Sequence, residues 1–140
     1  MSSMRIDTYN TLPPEADVID AGLGEFNQQA APLHEVEALA LIARDSQGVV
    51  TGGAVGRTWA TACELQQLWV RPELRKSGLG SELMKAFEDA ARARGCTLVY
   101  LETFSFQARP FYERHGYTVA DTMDLLPHGI LRWRMVKPLP

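Results

Sequence analysis

The chain is expected to form a mixed α/β domain around one sheet. Three observations carry that expectation. Short apolar and β-branched runs alternate with turn residues; residues 79–94 repeat their apolar positions at helical spacing; and the elements read in the order helix, three strands, helix, strand, helix, two strands. At 140 residues the chain has the size of one domain that buries a core without disulfides or metals, so residues 1–140 are read as a single domain.

Pro13 and Pro14, followed by Glu15, Ala16 and Asp17, mark a helix start. Proline fits a first turn, and acids favour the positive end of the helix. This helix is expected to turn Val18, Ile19, Leu23 and Phe26 inward and to end near Asn27, before a loop or short turn over residues 27–36 that holds Pro32. Residues 38–43 are an apolar run of strand length. The turn residues Asp45, Ser46, Gln47 and Gly48 then lead into a second strand over 49–58, making a hairpin. Gly52, Gly53 and Gly56 weaken that strand and predict a bulge or the close approach of another backbone. Residues 62–70 complete an antiparallel meander that Arg71 and Pro72 end.

The helix over 79–94 carries Leu79, Leu83, Phe87, Ala90 and Ala91 on one face, with Gly95 as its stop. Residues 97–104 are a β-branched and aromatic strand, and 108–115 are a short helix closed by Gly116. Two more strands, 117–120 and 130–136, flank a loop with Pro127 and Gly129. In the last strand Arg132 and Arg134 alternate with apolar residues, which suits a sheet edge or a dimer contact equally well, so a homodimer stays open.

The composition is that of an ordinary soluble protein, 46% hydrophobic and 22% charged. A net charge of −3 argues against a nucleic-acid partner, which needs a basic face for phosphates. Arg71, Arg75 and Lys76 still form a local basic spot. Cys63 and Cys96, far apart and in no CxxC spacing, argue against a zinc site or disulfide framework and read as reduced core thiols. The first residues lack the apolar run of a signal peptide, and no stretch reaches membrane-spanning length. A cytoplasmic protein without metal or membrane partner is expected.

The chemistry concentrates in residues 68–81, LWVRPELRKSGLGS. A strand ends there, and a loop with Arg75, Lys76, Gly78 and Gly80 opens into a helix. Glycines admit a ligand close to the backbone, and the free N–H groups and dipole of a helix start attract an anion such as pyrophosphate. No third glycine follows for a dinucleotide fingerprint, and no GxxxxGK(S/T) is present for a P-loop. The glycine-rich turn without a ligand is the bland alternative.

Residues 75–80, RKSGLG, match the (R/Q)xxGx(G/A) pyrophosphate motif of the GNAT superfamily of acyl-CoA N-acyltransferases, and residues 108–117, ARPFYERHGY, resemble its AxxxYexxGF segment. The resemblance is strong over residues 65–117 and rests on element order before that. It implies a mostly antiparallel sheet flanked by helices and splayed into a V-shaped cleft for acetyl-CoA. The main chain of Leu68, Trp69 and Val70 would pair with the pantetheine arm, and backbone N–H groups of Arg75, Lys76, Ser77, Gly78, Leu79, Gly80 and Ser81 would hold the pyrophosphate. Ser105, Ala108, Phe111 and Tyr112 complete the implied cofactor contacts. Ser105 departs from the asparagine many relatives carry there.

The implied activity is transfer of an acetyl group to a primary amine of a small molecule, by direct attack in a ternary complex. An N–H near Val70 would stabilise the oxyanion, and Tyr112 would act as general acid toward the thiolate, whose thiol has a pKa of about 8.5 by analogy with cysteine. An ammonium with a pKa near ~10.4 must first lose a proton, and Glu64 and Glu102 are the candidate bases, although a paired carboxylate suits each as well. His34 and His128 fall in expected loops near the acceptor end, and His115 suits the end of its helix. Trp59, Trp69, Trp133, Phe104 and Phe106 read as core or cleft-wall residues. A non-catalytic acyl-CoA-binding module and a protein N-acetyltransferase are the alternatives.

Overall fold

A computed structural model of the chain describes residues 3–30 and 35–140. The elements run α1 (Ala16–Ala30), β1 (Glu37–Arg44), β2 (Val50–Trp59), β3 (Ala62–Val70), α2 (Leu79–Ala93), β4 (Leu98–Phe104), α3 (Arg109–Arg114), β5 (Thr118–Leu125) and β6 (Ile130–Pro138). The chain falls into two compact units, one up to residue 34 and one over Glu35–Pro140. None of the helices among the described residues is long and apolar enough to cross a membrane.

In the first unit, Ala16 and Asp17 donate their N–H groups to the carbonyls of Pro13 and Pro14, so the two prolines do open α1. The expectation that Val18, Ile19, Leu23 and Phe26 point into a core is corrected: all four are exposed. A single helix has no second layer within its own unit to cover an apolar face. The helix also continues past Asn27 to Ala30. Pro32 and His34 lie outside the described residues.

The second unit is a six-stranded sheet in the order β1-β2-β3-β4-β6-β5. All neighbours are antiparallel except β3 and β4, which run parallel. Parallel neighbours need a crossover, and α2 supplies it. Its inner face, Leu83, Met84, Phe87 and Ala91, meets Leu39, Ala54, Cys63, Leu65, Val99 and Leu101 from the sheet in one core. Cys63 and Cys96 are both buried and unpaired there. Burial raises the Cys63 thiol pKa to about 12, so it stays protonated and inert.

Both α2 and α3 end in the same hydrogen-bonded turn. The Gly95 and Cys96 N–H groups bond to Arg92 and Ala91, and those of Gly116 and Tyr117 bond to Glu113 and Tyr112. Gly95 and Gly116 take φ of 86° and 90°, the left-handed geometry such a cap requires. In the second case the cap also brings the ring of Tyr117 edge-on to Tyr112, 5.9 Å between centroids. Tyr117 is itself buried, and its hydroxyl donates to Glu88 at 2.8 Å, while Lys137 pairs with the other carboxylate oxygen at 2.8 Å.

The last strand is not a sheet edge, which corrects that reading. β6 lies between β4 and β5, so the edges are β1 and β5. Arg132 bonds Glu102 on β4 at 2.9 Å, and Arg134 bonds Asp121 on β5 at 3.3 Å; these cross-strand partners explain arginines on an interior strand.

The glycines of β2 mark both a bulge and a close approach. Opposite β3 the register jumps between Val55 and Gly56, leaving Gln66 as an extra residue. A Cβ at Gly56 would run into the carbonyl oxygen of Glu64 and the ring of Phe87. Gly56→Ala is therefore expected to lose about 3 kcal/mol in urea unfolding, because overpacking against backbone has little room to relax. Gly22→Ala, a helical site with nothing within 4 Å, should lose none. Equal stability of Gly56→Ala and the parent would show that the close contact is absent.

Candidate active site

Past the bulge the two central strands part. β3 pairs with β4 only from Ala62 opposite Leu98 to Leu65 opposite Leu101, although both strands continue for several residues. From Gln66 to Val70, β3 keeps β2 on one side and has no strand on the other. The bulge also resets the faces: Leu68 and Val70 are half-buried, while Gln66, Gln67 and Trp69 are exposed. The result is a V-shaped opening whose floor is the free backbone edge of β3.

Two adjoining cavities fill this opening. One, about 400 Å³, is lined by Val70, Lys76, Gly78, Gly80, Ser81 and Phe111 among others. The second, about 780 Å³, is lined by Gln66, Gln67, Trp69, Glu102, Thr103, Gln107 and Tyr112 among others. Leu68, Val70, Arg75 and Ala108 border both, so the two lie side by side.

The first cavity ends at the start of α2, where the local sequence leaves backbone donors uncovered. The N-cap is Gly78, which has no side chain to cap with. Glu82 is the first to bond back along the helix, to Gly78 at 3.0 Å. The Gly80 and Ser81 N–H groups have no hydrogen bond among the described residues, and Leu79 reaches only the Ser77 hydroxyl, at 3.4 Å. Lys76 and Gly78 take φ of 66° and 92°. A left-handed lysine costs roughly 1–2 kcal/mol, and such strain tends to gather at ligand clamps. Ser77 ties the turn down, its N–H and hydroxyl both bonding to the carbonyl of Leu74. Arg75 lines the cavity with its Nε donating to Val70 O at 3.2 Å, and Arg71 pairs with Glu73 at 2.6 Å. Uncapped N–H groups, a helix dipole and two cations are an arrangement suited to an anion.

The second cavity holds Tyr112. Its ring is packed edge-on against Phe111, 5.3 Å away, and Tyr117. Burial raises its pKa above the ordinary phenol value, so at neutral pH it stays protonated. Its hydroxyl has no hydrogen bond among the described residues. Glu102 also lines this cavity but is held by Arg132 at 2.9 Å and Arg134 at 3.5 Å. Glu64 is elsewhere: bonded to Arg57 at 2.9 Å, it lines a separate cavity of about 240 Å³ with Trp59 and Tyr100.

Other expected residues are distributed unevenly. Ser105 is tied to β6, its N–H bonding to Leu131 O at 2.8 Å and its hydroxyl accepting the Leu131 N–H at 3.0 Å. Trp69 is a cleft wall. Trp59 and Phe106 are exposed rather than core, and Phe106 stacks on Phe104 at 5.4 Å; Trp133 is half-buried under the Arg109 guanidinium at 4.5 Å. His128 is exposed in the β5–β6 turn. His115 caps α3 as expected, and its ring reaches further, placing Nε2 3.0 Å from Ser81 Oγ at the start of α2. Sequence reasoning missed Arg114, Gln66, Gln67, Thr103 and Gln107, which all line the opening. Adjacent exposed glutamines in an otherwise alternating strand were a usable sign of the bulge, and Arg114 follows Phe111 at helical spacing.

Comparison with known proteins agrees with this geometry. Residues 5–117 match the model of the acetyltransferase (GNAT) family. A blasticidin-S acetyltransferase from Streptomyces morookaense is 38% identical over 112 residues, which cover 79% of this chain and 80% of that one. A crystal structure of an acetyltransferase from Bacillus cereus superposes with a TM-score of 0.82 at 28% identity, covering 96% of this chain and 98% of that one. A putative acetyltransferase from Agrobacterium tumefaciens superposes with a TM-score of 0.83 at 27% identity, covering 97% and 100%. With the family match spanning most of its length and the splayed sheet beside an uncapped helix start, the chain belongs to the GNAT acetyltransferase family.

Proposed function

We propose that the chain moves an acetyl group from acetyl-CoA to a primary amine of a small molecule, by direct attack in a ternary complex. The observation that carries this reading is a pair of adjoining cavities along the free edge of β3, one at the uncapped start of α2 and one at Tyr112, with Leu68, Val70, Arg75 and Ala108 lining both. A diphosphate suits the first end, a strand-like arm with amide groups suits the edge, and a thioester then reaches the phenol. The small-molecule acceptor is supported by the similarity to a protein named for blasticidin-S. A cytoplasmic setting without nucleic-acid or membrane partner is part of the same reading, supported by the buried free thiols and the acidic balance.

In this reading the amine nitrogen attacks the thioester carbon; the C–N bond forms and the C–S bond breaks. The Tyr112 hydroxyl gives its proton to the departing sulfur. The amine proton leaves through water, and Glu102, the carboxylate at the cleft, guides the amine. Glu64 has no part in this route, since it lines a different cavity.

The direct test is release of free thiol from acetyl-CoA against a panel of amines, together with thermal unfolding. Saturating acetyl-CoA, at about 100 times its Kd, should stabilise the fold by about 2.7 kcal/mol. No shift in Tm and no thiol release with any amine would sink the proposal.

Gly80→Asp should abolish most acetyl-CoA affinity while the circular-dichroism spectrum stays native. The change adds a charge at the anion site and a side chain whose Cβ already meets the Phe111 ring at 3.4 Å. Unchanged affinity in a folded variant would remove the phosphate from this loop.

Tyr112→Phe keeps the ring packing and removes only the hydroxyl. Acetyl-CoA affinity should hardly change, and kcat should fall by roughly 10²–10⁴-fold, the usual share of a positioned acid. Near-parent turnover, with chemistry shown to limit the rate, would leave Tyr112 a packing residue.

A further inference from the structure

The interior beside α3 holds a polar group where apolar side chains would fill the space as well. Glu88 of α2 is 6% exposed and Tyr117 only 1%. The Tyr117 hydroxyl donates to one Glu88 carboxylate oxygen and the Lys137 ammonium to the other, each at 2.8 Å. That ammonium also lies 5.7 Å from the centre of the Tyr117 ring. A buried ion pair adds little stability over apolar residues of the same volume. What a fully bonded group does supply is direction. A phenol tied at its tip to a carboxylate that is itself held has one position, whereas a phenyl ring in an apolar core can slide.

That position bears on Tyr112, which Tyr117 meets twice. The Tyr117 N–H donates to the Tyr112 carbonyl at 3.0 Å, and the two rings stand at 72° with centroids 5.9 Å apart. With no hydrogen bond on its hydroxyl among the described residues, the Tyr112 phenol is oriented by the rings around it, Phe111 and Tyr117. Phe111 is its neighbour on α3 and moves with it. Tyr117 is the ring tied to other elements, to α2 through Glu88 and to β6 through Lys137. We propose that Tyr117 is a positioning residue for Tyr112: Glu88 and Lys137 pin its hydroxyl in the core, and the ring so fixed aims the Tyr112 phenol into the cleft. This deepens the acetyl-transfer reading above and rests on Tyr112 as its acid.

The test is a mutant cycle in the full chain, read as kcat for acetyl transfer, acetyl-CoA Kd by calorimetry, and Tm. Tyr117→Phe keeps the ring and the backbone bond to Tyr112 and removes only the tie to Glu88. Glu88 keeps Lys137, so no buried charge is stranded and the fold is retained. kcat should fall about tenfold, because a small misplacement of a reacting group is costly, while Kd stays at the parent value. In a Tyr112→Phe background the same substitution should leave kcat where it was, since no hydroxyl remains to be aimed. A contact that only stabilises the fold would instead lower Tm in both backgrounds and leave kcat alone. Glu88→Gln keeps a hydrogen-bonding partner for the Tyr117 hydroxyl and should hold kcat within about twofold of the parent. The assignment is overturned by parent-level kcat in Tyr117→Phe, by an equal fall in both backgrounds, or by a tenfold loss in Glu88→Gln. Near-parent turnover of Tyr112→Phe alone would overturn the reading of Tyr112 as the acid, so the two failures are distinguishable.

Discussion

The constraint on which the site depends is the contact between Gly56 and the backbone of Glu64. Because no Cβ stands at residue 56, β2 and β3 approach closely enough for Phe87 of α2 to close over them. Immediately beyond that contact, Gln66 is squeezed out of register. A bulge bends its strand and strengthens its twist, and here it turns β3 away from β4 after only four paired residues. The opening follows from that separation: an unpaired backbone edge, a space beside it, and Tyr112 and Glu102 across the gap.

The start of α2 adds an electrostatic constraint of its own. Most helices cover their first N–H groups with a serine, threonine or acidic N-cap. This one begins with a glycine and leaves them facing a cavity bordered by Arg75 and Lys76. Sub-optimal capping and a left-handed lysine both work against stability, and both are located where an anion would offset them. The same helix ends in a full cap at Gly95, so the omission at its start is specific to the site.

Much of this fold is legible in the sequence. The glycines at 56, 95 and 116 each announced a backbone requirement that the fold imposes, since bulges, close approaches and left-handed caps are local matters that residue type encodes. The loop over residues 75–80 was legible for the same reason. What escaped was set by partners distant in sequence. β6 looked like an edge because its arginines reveal their value only beside Glu102 and Asp121. Ser105 bonds to Leu131, 26 residues away, a partner that local sequence does not reveal. His115 meets Ser81 across 34 residues. The exposed face of α1 escaped because periodicity says which side of a helix is apolar and nothing about what covers it.

Tyr112 sits on a helix of six residues with no buried member, too short to persist on its own propensity. What holds it is the turn at Gly116, which fastens the helix to Tyr117, and through that ring to Glu88 and Lys137 in the interior. The Tyr112 phenol is thus mounted on a bracket whose bolt lies in the core. Opening of that segment is a sub-global event, available without melting the sheet. In hydrogen exchange the amides of Gly116 and Tyr117 would report the release of the bracket, while those of Val99 and Leu101 report the unfolding of the whole. The gap between the two free energies measures how firmly the fold keeps Tyr112 in place.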